Sequence, residues 1–175
     1  MNYLSLLVKM LLKVIAEIEN IICIIGLWLI SILIFFSVIN RYFLHLGIMW
    51  IDDFALYCFI FFALFACAVT TRENGHTAVD IFRQKYLANK PKADMIYSIL
   101  LRVISIVFLT IFLPTTWKFM LRAMKYPQYG TLVRWVNTSW LQSTVFVSMV
   151  LILLHLFVLL VKDVEKLKRG SIADR

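Results

Sequence analysis

A chain of 175 residues that is 62% hydrophobic and only 16% charged cannot cover a water-soluble fold with polar surface. Its mean hydropathy of +0.87 marks an integral membrane protein, with room for about four spans and short connections in a single membrane domain. The net charge of +8 does not point to nucleic acid. The basic residues form no stripe with interleaved aromatics; they fall at the ends of apolar runs and in loops, where they set orientation and meet lipid phosphates.

Residues 1–19 are predicted to form an amphipathic helix. Leu4, Leu7, Leu11, Ile15 and Ile18 repeat at helical spacing, while Ser5, Lys9, Lys13 and Glu17 recur on another face. Such a helix can lie in the headgroup plane before the chain enters the bilayer. No cleavable signal is evident, because the apolar run that follows is long enough to span and lacks a small-residue cleavage site. The first span is expected over about 20–40, with no charge from Ile21 to Ile39. A short apolar connection follows, with Trp50 as an interfacial anchor. Arg41 closes span one, and Asp52 and Asp53 open span two, each with the sign that the helix dipole favours. An Arg41–Asp53 pair across the connection and two separately solvated charges are both compatible with this spacing.

Span two, 54–71, holds eighteen residues without a charge, about 27 Å of helix. Ala63, Ala66, Cys67 and Thr70 form a face of small residues suited to close helix packing. After Arg72, Glu73 and Asn74-Gly75-His76, Thr77 and Asp80 fit the start of a second interfacial helix over 78–88. Span three is predicted at about 95–117, and Lys118, Arg122 and Lys125 continue its periodicity into water as a basic ridge. Span four is predicted at about 138–161, followed by a charged tail, 162–175, that is expected to fray. Cys23, Cys58 and Cys67 all lie inside apolar runs and form no CxxC pair, which fits packing.

With both termini on the cytoplasmic side, that side holds twelve Lys and Arg residues against five outside, so the positive-inside rule places both termini in the cytoplasm. All ten acidic residues fall outside the predicted spans, and no span is broken by a Gly/Pro unwinding of the kind that makes an ion site. The chain is therefore not expected to transport anything alone. Arg102 is the one ionised residue within a span; it can snorkel toward the cytoplasm, pair with Glu73, or meet a partner subunit. His155 is alone at depth, which favours a core hydrogen bond over a metal or haem ligand. The ridge of Lys118, Arg122 and Lys125 puts positive charge on the disfavoured side. It meets anionic headgroups there, or docks an acidic soluble partner.

The run Asn40-Arg41-Tyr42-Phe43, then Trp50-Ile51-Asp52-Asp53, then Arg72-Glu73-Asn74-Gly75-His76 and Val79-Asp80, resembles the small, four-helix (Q-type) membrane subunit of tripartite ATP-independent periplasmic (TRAP) transporters. The match is densest over about 40–82. Two departures are visible: the family usually has Glu where Asp53 stands, and often Gly near Ala66. The resemblance implies an all-α, four-span inner-membrane protein that is not an enzyme and binds no cofactor of its own. Its partners would be a large permease subunit, which holds the sodium and substrate sites, and a periplasmic binding protein that delivers an organic acid such as a C4-dicarboxylate or a sialic acid. It also implies that Arg41, Trp50, Asp53, Arg72, Glu73, His76 and Asp80 are framework residues. Three other classes fit less well. A haem- or quinone-binding anchor of a redox complex needs facing histidines, a small drug exporter needs a Glu in its first helix, and a thiol oxidase needs cysteines at the outer face.

Overall fold

The computed structural model of the chain describes residues 3–46, 48–73, 91–130 and 132–173. Four long helices account for most of them: α1 (Tyr3–Ile39), α2 (Trp50–Arg72), α3 (Pro91–Lys125) and α4 (Ser139–Ala173). Each contains a stretch long and apolar enough to cross a membrane. The expected interfacial helix at 78–88 lies outside the described residues, as do His76 and Asp80.

The amphipathic stretch at the amino end is not a separate element. It continues without a break into the first span, because no proline and no glycine before Gly26 interrupts the helical run. At its far end α1 loosens into a π-helical turn, Asn40–Leu44, closed by His45 in the left-handed conformation (φ 52°), whose N–H reaches the Asn40 carbonyl at 2.8 Å. The tail expected to fray is helical through Ala173. It is held there in part by a side-chain contact from α3, described below.

The helices stand in a row. α1 packs on α2, α2 on α4, and α4 on α3, so the chain order α1-α2-α3-α4 becomes the spatial order α1-α2-α4-α3. The two central helices supply most of the buried positions: Ile51, Ala55, Phe65, Ala68 and Thr71 on α2, and Ser139, Thr144, Ser148, His155 and Leu156 on α4. Small side chains dominate because helices in lipid gain little from hydrophobic burial and depend on close backbone approach. The hydroxyls of Thr71, Thr144 and Ser148 bond carbonyls of their own preceding turns, so their burial leaves no hydroxyl unsatisfied.

The packed stripe of α2 is not the expected Ala63/Ala66/Cys67/Thr70 face. Ala63, Ala66 and Thr70 are half-buried and Cys67 is exposed, while Ala68 and Thr71, one position further round the helix, are sealed against neighbours. Close approach between α1 and α2 is made at Gly26, where a Cβ would meet the Phe62 Cβ at 3.1 Å. α1 and α3 form the edges of the row and leave large apolar side chains such as Trp28, Phe35, Phe108 and Ile111 uncovered.

Candidate functional site

Antiparallel alternation puts the start of α1, the end of α2, the start of α3 and the end of α4 at one end of the row, with both termini. Polar side chains converge there in two clusters. In the first, Glu19 of α1 is buried, with only 1% of its side chain exposed. One carboxylate oxygen accepts from Arg72 Nη1 at 3.1 Å, and the other lies 2.8 Å from His155 Nε2. Arg72 also donates to the Ala16 carbonyl at 3.0 Å, to Asn20 Oδ1 at 2.6 Å and to Glu73 at 3.3 Å. A single carboxylate thereby joins α1, α2 and α4. Among buried ionic groups this is a well-satisfied one, since both carboxylate oxygens and most of the guanidinium have partners.

The core hydrogen bond expected of His155 is present, with Glu19 as its partner. One expectation is corrected: not every acidic residue is peripheral, since Glu19 sits inside a continuous helix and is buried. The signal was present in the sequence. Lys9, Lys13 and Glu17 share one face, whereas Glu19 falls four residues after Ile15 and three before Ile22, on the apolar face.

The second cluster joins α3 to α4. Arg102 pairs with Asp163 and donates to the Leu159 carbonyl at 3.1 Å. Its side chain does reach toward the termini end, but to Asp163 rather than to Glu73, which lies beside Arg72 on α2. The helical continuation of α4 past Lys162 is what brings Asp163 within reach.

At the opposite end, about 30 Å away along α2, Arg41 pairs with Asp52 at 3.0 Å rather than with Asp53, and Ser37 Oγ also bonds Asp52. Asp53 points about 100° further round the helix and accepts the Leu132 N–H at 3.0 Å. That bond ties the α3–α4 connection to the top of α2. The connection folds back on itself through a bridge between Tyr129 and Asn137, with Gly130 donating to the Val136 carbonyl and Val133 fully buried. Gly130 is needed because a Cβ there would lie 2.7 Å from the Tyr57 hydroxyl and 2.9 Å from the Val133 carbonyl. Trp50 meets Trp135 edge-on, with ring centroids 6.3 Å apart.

The ridge residues Lys118, Arg122 and Lys125 are on the same helix as span three and are all exposed. They have no ion-pair partner among the described residues. Nor does any group of three or more His, Cys, Asp or Glu converge among the described residues as a metal site does. The second histidine described, His45, stands at the far end of the row from His155 and cannot face it.

Among the described residues, Arg41, Asp53, Arg72 and Arg102 form polar clasps between helices or between a helix and a loop, while Lys118, Arg122 and Lys125 do not. A model of one protein family matches residues 30–166, most of the chain: the tripartite ATP-independent periplasmic transporters, DctQ component. The chain belongs to this family. No curated protein matches it. As a DctQ-type protein with four apolar helices, it is a multi-pass inner-membrane component of a tripartite transporter, a family that works with a large permease subunit and a binding protein and is not an enzyme family. The clasps at Arg41, Asp53, Arg72 and Arg102 each fix one helix or loop against another.

Proposed function

We propose that this chain is the accessory scaffold subunit of a sodium-coupled, binding-protein-dependent importer of an organic acid anion, of the C4-dicarboxylate or sialic acid type, with both termini in the cytoplasm. In this reading it stabilises the large permease subunit, where the sodium and substrate sites lie, and transports nothing by itself. The observation that carries the reading is the open row. Only 6% and 0% of the residues in the hydrophobic windows of α1 and α3 are buried within the chain, so beside the face that packs on α2 or α4 each edge helix keeps an open face for lipid or a partner. A self-contained carrier encloses its substrate path, whereas a row of helices with two free edges is a flat element laid against something else.

The polar clasps support the same role. A support for a moving partner must keep its own helices from shearing, and hydrogen-bonded charges at fixed positions do this better than sliding apolar contacts. Co-expression with the neighbouring large permease tests the reading. The two should co-purify in mild detergent, and the permease should unfold at a lower temperature when purified without this chain. Failure to co-purify, with the permease equally stable alone, removes the proposal.

A further inference from the structure

At the end of the row opposite the termini, α1 and α2 part to leave a groove of about 390 Å³. Its walls are matched stretches of antiparallel helix. On α1 the lining runs from Ile34 through Val38 to Arg41, and on α2 from Phe59 through Leu56 to Asp52, about 10 Å on each side. Antiparallel packing thereby sets the two charges at one end of the groove and two large apolar side chains at the other. Ala55, small and buried, lies between them.

The level of the groove in the membrane follows from the charges. The uncharged run of α1 ends at Ile39 and that of α2 begins at Phe54, so Arg41 and Asp52 stand at the edge of the hydrocarbon. Ile34, Val38, Leu56 and Phe59 lie deeper and are all exposed. One groove therefore leads from headgroup level into the acyl region, with its charges confined to the mouth.

The mouth presents both signs. Arg41 and Asp52 pair at 3.0 Å, yet both are exposed. The pair uses one guanidinium nitrogen, Nη2, so further N–H donors of Arg41 remain for an anionic oxygen. Asp52 accepts from Arg41 and from Ser37 Oγ through different oxygens, and each oxygen keeps a second lone-pair direction. Asp53, about 100° further round α2, bonds the Leu132 N–H and does not line the groove. Tyr42 adds an exposed phenol at the mouth, a side chain that membrane interfaces favour.

These features select the occupant. It must carry an apolar chain, an anionic oxygen for Arg41 and a cationic N–H donor for Asp52, all within the reach of one headgroup. An anionic phospholipid without an amine brings no cation to Asp52, and a quaternary ammonium has no N–H to give. A helix of a partner protein would cover the paired charges and take both out of water. We infer that this groove is a site for one phospholipid with a primary amine in its headgroup. Its phosphate accepts from Arg41, its ammonium donates to Asp52, and the upper part of an acyl chain lies between α1 and α2 as far as Phe59. The inference does not depend on the scaffold reading.

The test is native mass spectrometry of this chain, delipidated in detergent and titrated separately with phosphatidylethanolamine, phosphatidylcholine and phosphatidylglycerol. Wild type is expected to retain phosphatidylethanolamine about threefold or more over the other two. D52N should bring phosphatidylethanolamine down to the phosphatidylcholine level. R41Q should lower retention of all three, since each carries a phosphate. V38W fills the groove from an exposed position, so it should lower all three while thermal unfolding of the chain is unchanged. Equal retention of the three lipids by wild type overturns the inference, as does a phosphatidylethanolamine preference that survives D52N and V38W. Loss of permease co-purification in V38W without loss of lipid gives the groove to a protein helix and overturns it too.

Discussion

Glu19 and His155, 136 residues apart in sequence, lie 2.8 Å apart with both side chains at least nine-tenths buried. Because the same carboxylate holds Arg72, removing it leaves a guanidinium without its buried counter-charge and an imidazole without an acceptor. E19A should destabilise the detergent-solubilised chain by about 3 kcal/mol, in the range of broken buried ion pairs. H155A should cost less, about 1 kcal/mol, since it removes one hydrogen bond and leaves the Arg72–Glu19 pair intact. Thermal unfolding followed by circular dichroism checks the order. Equal losses would show that the two bonds do not share the load as described.

Arg102 and Asp163 predict a coupled pair. R102Q and D163N should each lower stability, and the double substitution should cost less than the sum, with an interaction energy of about 1–2 kcal/mol. Additive losses in a double-mutant cycle would mean that Arg102 depends on the Leu159 carbonyl or on lipid instead.

Asp53 predicts local loosening without global unfolding. D53A removes the acceptor for the Leu132 N–H, so amide exchange across 128–137 should accelerate about tenfold while α2 itself stays protected. D53E should retain most of the protection, since a carboxylate remains within reach. Unchanged exchange in D53A would release the loop from dependence on this residue.

Two substitutions on neighbouring helix faces should separate internal packing from assembly. G26V forces side-chain atoms into Phe62 and should lower the chain's own stability by about 1–3 kcal/mol. C67F adds a ring at an exposed position of α2, away from its packed stripe. It should change that stability by less than about 0.5 kcal/mol yet weaken co-purification with the permease. The reverse pattern, measured by thermal unfolding and by pull-down yield, would exchange the roles of the two faces.

Much of this arrangement was legible in the sequence, and the exceptions share a cause. Charges bracket uncharged runs of bilayer length, so the four spans and the interface position of Arg72 followed from spacing. What spacing does not contain is azimuth. Asp52 and Asp53 are adjacent in sequence but about 100° apart on the helix. Only the folded loop, by taking Asp53 at Leu132, leaves Asp52 for Arg41. The same holds for the small-residue face of α2, where Ala68 and Thr71 pack and Cys67 does not. Glu19 was missed because it lies within a polar-looking amino-terminal stretch, although its offset from Lys13 and Glu17 places it among the isoleucines. Asp163 was missed because a charged tail reads as a helix end, and the tail is helical.

The central claim is that this chain supports a transporter it does not itself constitute. Sodium-driven uptake of radiolabelled organic acid into proteoliposomes, with the large permease and the loaded binding protein present, tests it most directly. The account predicts that omitting this chain collapses uptake toward background and that this chain with the binding protein alone transports nothing. Full uptake by the permease without it, or uptake by this chain alone, would contradict the account.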